Sequence, residues 1–321
     1  MKRKFFMFLG AFFLIYLFNF FIPRLMPGDP FRYSSSVSGE DMNTDYSETQ
    51  IQKMREYYGM DKPLSKQFFY TVKSNLHGDF GMSIHYKMPV SSVIRSRLPW
   101  TLGIMTVTLS ISLIFGVILA LISVRNKKAD SVLYSFFSAL SEIPPFLIGL
   151  LFLFLIAAKS NWIPLSGGIT AFAKFDTFSE YIKDLFVHAL LPISSLSIVT
   201  IPGFYFTSRA SFLSVLRKPY LLAGKSKGLS EWRIRIFYIL RNTITPITAR
   251  LFLSIGTVIG GTLLVENVFA YPGIGTVMRE AVRYRDYPMI QGIFLLSAVI
   301  VLVSMFLADL LNAGSDRREQ Q

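Results

Sequence analysis

Apolar residues gather in long runs along the chain, and six runs match the thickness of a bilayer. A hydrocarbon core of about 30 Å takes roughly 20 mostly apolar residues in helical form. Residues 5–23 and 98–124 carry no charge at all. Residues 131–158 contain only Glu142, residues 185–208 are interrupted only by His188, and residues 242–265 only by Arg250. The last run, 289–312, has Asp309 near its end. The pattern predicts an all-α membrane protein with six transmembrane helices. The first run follows Lys2, Arg3 and Lys4, as a signal peptide would. It is long and aromatic and lacks a small-x-small cleavage pattern, so it reads as a retained helix.

The polar stretch 24–97 is too long for a simple connector and carries helix signals of its own. Ser47 and Glu48 open a run with Ile51, Met54 and Tyr58 on one face and Gly59 placed at its C-terminal end. Pro63 opens a second helix with Phe68, Val72 and Leu76 at spacing four. Before them, Pro27-Gly28-Asp29-Pro30 reads as a rigid turn and 34–38 as a flexible stretch. This segment can cap the ends of the spans, serve as a docking surface for a delivery protein, or do both.

Composition agrees with the pattern. Hydrophobic residues make up 52% of 321, and only 17% are charged, where a soluble domain carries about 25%. There is no cysteine, hence no disulfide or thiolate site. The net charge of +13 would suggest nucleic acid if it were not distributed by topology. With the N-terminus inside, the inner segments 1–4, 125–130, 209–241 and 313–321 hold 16 Lys/Arg in 52 positions. The outer segments 24–97, 159–184 and 266–288 hold 16 in 123. The inner basic density is more than double, which orients both termini to the cytoplasm of a multi-pass cell-membrane protein. Nucleic-acid binding drops out.

The densest basic island lies between the fourth and fifth runs. Residues 209–241 hold eight Lys/Arg against one acid, Glu231. Gly224-Lys225-Ser226 looks like the end of a phosphate-binding loop, but Pro219 stands where that motif needs glycine and no strand precedes it. No nucleotide site is expected. Instead Pro219 can start a short helix, Gly228 can end it, and Ser230 can cap a second with Glu231 in its first turn. Trp232, Ile236, Ile239 and Leu240 recur at helical spacing in that second helix. By itself this describes a basic amphipathic helix on a membrane surface as well as a partner-docking loop.

Several motifs in order resemble a known family. Tyr58-Gly59-Met60-Asp61-Lys62-Pro63-Leu64, Gln67-Phe68 and Gly78-Asp79-Phe80-Gly81-Met82-Ser83 are similar to the outer segment of peptide-type ABC importer permeases. Arg97-Leu98-Pro99, Ile143-Pro144-Pro145-Phe146, Glu266-Asn267-Val268-Phe269, Tyr271-Pro272-Gly273-Ile274-Gly275 and Arg285-Asp286-Tyr287-Pro288 extend the likeness over nearly the whole chain. Within the group it resembles the B-type membrane subunit of the oligopeptide/dipeptide/nickel permeases. The resemblance implies a type I ABC importer permease fold with an outer helical segment after the first helix. It makes the island a loop that docks on an ATPase, carried by Tyr220, Ala223, Gly224, Lys227, Gly228, Leu229, Ser230 and Glu231. Leu222 stands where the family's acidic start would be, and Thr243 and Thr245 where it tends to be apolar.

Glu142 and Arg250 are the ionisable groups that stand out inside spans, where charge is costly. They lie about eleven and eight residues along their spans, so at about 1.5 Å per residue their depths differ by only about 5 Å. They can pair, or line an aqueous path, while Arg250 can also snorkel to the inner surface. His77, His85 and His188 are too dispersed for a metal site. Gly256, Gly260 and Gly261 allow close helix contact on the fifth span. No nucleophile-and-base or paired-carboxylate arrangement stands out, and no cofactor or metal is expected.

The expected organisation is a first helix plus outer segment (1–97), a five-helix permease core (98–312) with the coupling loop 209–241, and a cytoplasmic tail (313–321). The resemblance implies a second, homologous permease subunit, two ATP-binding subunits and an extracytoplasmic substrate-binding protein. It also implies a peptide cargo, with nickel or a nickel chelate as the alternative. A stand-alone secondary transporter or channel, or a membrane enzyme, would leave the island without a role.

Overall fold

The computed structural model describes residues 2–25, 31, 47–216, 218, 219, 221 and 226–319. Ten helices matter here: α1 (Lys2–Leu25), α2 (Glu48–Tyr57), α3 (Leu64–Leu76), α4 (Val90–Arg125), α5 (Lys127–Leu140), α6 (Pro145–Leu155), α7 (Phe178–Leu216), α8 (Arg241–Val268), α9 (Ile274–Arg283) and α10 (Tyr287–Glu319). Among the described residues there is no strand beyond one isolated bridge between Met82 and Pro89.

Five helices are long and apolar enough to cross a membrane, within 6–25, 90–125, 178–216, 237–268 and 287–312. The sixth run is broken. Lys127–Leu140 and Pro145–Lys159 meet at 92°, where one continuous helix over 131–158 was expected. Two successive prolines explain the break. Neither supplies a backbone N–H, and Pro144 pushes Ile143 out of the helical region. Pro144 is extended (φ −62°, ψ 137°) and Pro145 starts α6. The other spans are longer than expected: α4 starts at Val90 rather than at residue 98, and α7 runs from Phe178 to Leu216. At 39 residues α7 is about 58 Å long, so its ends pass well beyond a hydrocarbon core of about 30 Å.

The chain forms two compact units. The first gathers residues 1–100 and 272–299. In it, α2 starts as the sequence predicts: Ser47 and Gln50 form a reciprocal capping box, and Gly59 follows the helix end at φ +65°. Ile51 is buried with Phe31 and Ile84, with Met54 and Tyr58 packed on them. On α3, Phe68 meets Phe20 edge-on at 5.1 Å, whereas Leu76, expected on the same face, is 81% exposed. Asn75 takes that role, donating to the Tyr16 hydroxyl at 2.9 Å. Inside the apolar α1, Asn19 donates to the Gln291 carbonyl at 2.9 Å.

The second unit gathers 101–271 and 300–321. Its helices approach through glycines. A Cβ on Gly116 would lie 2.5 Å from Phe204 Cβ, and one on Gly261 3.1 Å from Pro145 Cγ. Gly256 meets Val301 in the same way at 3.3 Å, but Gly260 faces open space. Residues 27–30 and 34–38 lie outside the described residues.

Candidate functional site

The basic island is anchored to the spans by its apolar side. Ser230 caps the helix that follows: its hydroxyl accepts from the Arg233 N–H at 3.4 Å and its carbonyl from Ile234 N–H at 3.1 Å. One α-helical turn, Glu231–Arg233, leads into a π-helical segment, Ile234–Leu240, which runs into α8 without a break. The expected second island helix is therefore the start of the fifth span.

The π-segment also changes which residues face inward. Each of its turns takes in an extra residue, so the face does not follow the 3.6-residue spacing. Ile234 and Ile239 are buried while Trp232 is 71% exposed. With Leu221 they join Ala120, Phe137, Tyr205, Phe212, Val215 and Ile247 in one core, against which Leu229 and Leu240 pack. Lys227, Gly228 and Ser230 are exposed. Gly228 holds φ +71° with no atom within 4 Å of a would-be Cβ, so the backbone alone demands glycine there. Tyr220, Ala223 and Gly224 lie outside the described residues, and for Glu231 only the backbone is described.

Beside this core sits a polar clamp that sequence reading missed. Arg209 on α7 donates Nε to Asp130 Oδ1 at 2.5 Å and Nη2 to Oδ2 at 2.6 Å. Ser123 also donates to Asp130, and shares a 2.8 Å hydrogen bond with the Tyr205 hydroxyl. The clamp ties α4, α5 and α7 together at the ends nearest the island. The available signal was modest: Asp130 is the only acid in the segment 125–130, and Arg209 is the first base of the island.

Glu142 and Arg250 are not joined by an ion pair among the described contacts. Glu142 stands exposed in the break before α6. Arg250 lines an open cavity of about 570 Å³ bordered by α6, α7 and α8 together with the break. Its guanidinium lies over Gly203, where a Cβ would fall 2.0 Å from Nη2.

The resemblance motifs 80–90 and 280–292 converge in the first unit. Asp286, fully buried, accepts from the Ser83 hydroxyl, from His85 N–H at 3.0 Å and from Met289 N–H at 3.1 Å, which caps α10. His85 stacks on Tyr284 at 3.9 Å, and Tyr86 donates to Glu280. Burial, helped by the Asp286 charge, pushes the Tyr58 phenol up to about 12. Burial, with the Glu280 hydrogen bond and charge, raises Tyr86 as well. Both phenols stay neutral donors. In the second unit Glu266, fully buried, accepts from the Thr101 hydroxyl at 2.6 Å, and burial beside it lifts Tyr271 to about 12. α9 follows the Tyr271-Pro272-Gly273 motif, and its Ile274, Val277 and Ala281 form a buried face at helical spacing.

His77, His85 and His188 do not converge, and no group of three His, Asp or Glu among the described residues could hold a metal ion. His188 is buried and its Nδ1 contacts the Asp184 carbonyl at 2.9 Å.

Comparison with known proteins follows the same lines. An oligopeptide transport system permease protein of Bacillus subtilis is 31% identical over 95% of this chain and 93% of its own. A glutathione transport system permease protein of Escherichia coli is 28% identical over 94% and 92% respectively. Residues 112–321 match the family model for the binding-protein-dependent transport system inner membrane component. With well over half of its length inside that match, the chain belongs to the family of binding-protein-dependent transport system inner membrane components, the permeases of ABC importers.

Proposed function

We propose that this permease forms half of a peptide-conducting pathway and that its basic island receives the stroke of an ATP-binding subunit. A second, homologous permease, two ATP-binding subunits and an extracytoplasmic binding protein complete the importer, and hydrolysis takes place on the ATP-binding subunits. In this reading the chain sits with both termini in the cytoplasm, which its basic-residue distribution favours. The names of the two relatives, an oligopeptide and a glutathione permease, favour peptides over nickel.

One observation carries this reading. The helix that begins at Glu231 continues through Ile234–Leu240 and α8 to Val268, and its first turns are packed on α4, α5 and α7. A partner pressing on exposed Lys227, Gly228, Ser230 and Trp232 therefore moves a rigid lever whose far end lies across the membrane. Such a displacement can switch a pathway between inward-open and outward-open states. The test is uptake of a labelled tripeptide and of labelled nickel by cells with this gene deleted. Loss of peptide uptake with nickel uptake intact is expected, and the reverse pattern overturns the cargo assignment.

A further inference from the structure

The cavity beside Arg250 has an unusual charge balance. Its walls come from residues 143–146 before and in α6, from Thr200, Gly203 and Thr207 on α7, and from Arg250 and Thr257 on α8. Among its described lining residues Arg250 alone is charged. Its Nε is fully buried and has no hydrogen-bond acceptor among the described residues. Thr200 and Thr257 give their hydroxyl protons to their own helix, to the Leu196 and Ser254 carbonyls at 2.7 and 3.1 Å. They therefore offer the cavity acceptor oxygens, and the charged donor that faces an anion there belongs to Arg250.

Arg250 is half-buried; a cation partly withdrawn from water without an anion is costly, and a partner carboxylate removes much of that cost. Snorkelling does not supply the relief here. Arg250 lies nine residues, about 14 Å, along the helix from Arg241, and its guanidinium is laid across Gly203 rather than extended along the helix. Glu142 is adjacent in sequence to the lining residues Ser141 and Ile143, yet makes no ion pair with it. A guanidinium presents a planar fork of N–H donors that fits a carboxylate through two parallel bonds. The cavity volume, about 570 Å³, lies in the range of sites that hold small ligands, about 300–1,000 Å³.

We infer that Arg250 is a transit site for the carboxylate of the cargo, a specificity-determining contact inside the membrane; the inference rests on the peptide reading given above. Gly203 keeps the guanidinium in place by leaving its own position empty, and α6, which starts at the Pro144-Pro145 break, forms the opposing apolar wall for cargo side chains.

The experiment uses the assembled importer in phosphatidylcholine vesicles, with a free-acid tripeptide delivered by its binding protein, and reads ATP hydrolysed per peptide imported. A hydrogen bond to a charged group contributes about 1.5–3 kcal/mol, so Arg250→Gln should raise that ratio by about tenfold or more. Arg250→Lys should raise it less. Gly203→Ala, which displaces the guanidinium without removing its charge, should raise it too and serves if Arg250→Gln does not assemble. A ratio equal to that of the wild type in these variants overturns the inference, whether uptake is intact or falls together with hydrolysis. A rise seen only when anionic lipid is added assigns the guanidinium to a lipid phosphate, and also overturns it. Absence of peptide import by the wild type strikes instead at the cargo reading itself.

Discussion

Arg209 holds the Asp130 carboxylate through two parallel hydrogen bonds of 2.5 and 2.6 Å, joining residues 79 positions apart. Both side chains are partly exposed, at 24% and 28%, so the pair is screened but geometrically well made. It stands next to the core that anchors the island, so in the proposed coupling route it braces the start of α8. Asp130→Asn should destabilise the detergent-solubilised protein by about 1–3 kcal/mol, since a charged hydrogen-bond partner is lost. The charge-swapped double variant, Asp130→Arg with Arg209→Asp, should recover part of the loss. Thermal melts of the wild type, Asp130→Arg, Arg209→Asp and the double variant decide this, and additive single-variant losses would show that the pair is not coupled.

Gly228 makes the loop turn through backbone conformation rather than space. A non-glycine residue at φ +71° costs about 1–2 kcal/mol. Gly228→Val should strain the turn beside Ser230, cutting ATP-dependent uptake severely while membrane levels of the protein stay near normal. Gly228→Asn should be far milder, because asparagine tolerates left-handed conformations. Immunoblotting of membranes alongside uptake separates a coupling defect from an insertion defect.

Two glycines on α4 should behave oppositely. A Cβ at Gly116 would stand 2.5 Å from Phe204 Cβ and 3.0 Å from the Tyr205 backbone nitrogen, so α4 and α7 must part. At Gly103 nothing lies within 4 Å. Gly116→Ala should lower the yield of folded protein by several-fold, an overpacking effect of about 1–3 kcal/mol. Gly103→Ala should match the wild type in size-exclusion profiles.

The Tyr58 phenol titrates near 12 in the folded chain because burial and the Asp286 charge favour its neutral form. An unfolded tyrosine ionises at about 10. Its raised value therefore contributes stability that is intact below pH about 10 and is lost as pH rises from about 10 to about 12. Tyr58→Phe should flatten that part of the stability curve, as read by melting temperature against pH. A curve identical to that of the wild type would contradict the assignment.

Much of this was legible in the sequence because the bilayer imposes a length rule. The runs at 5–23, 98–124, 185–208, 242–265 and 289–312 each fall on a helix, and the Ser47 cap and Gly59 end appear where residue chemistry puts them. The break at Pro144-Pro145 was visible as two prolines, but length and hydropathy outweighed it. The π-segment was not visible, because a one-residue change in winding depends on how Ile234 and Ile239 pack on distant helices. The clamp of Asp130 and Arg209 and the buried seat of Asp286 bring together residues far apart in the chain, and no local pattern announces them.

The most direct measurement is import into vesicles holding this chain, its partner permease and the ATP-binding subunits, with binding protein and labelled peptide outside and ATP within. The account predicts uptake that requires every component and stops when ATP is replaced by a non-hydrolysable analogue. Peptide uptake by this chain alone, without the ATP-binding subunits, would contradict it.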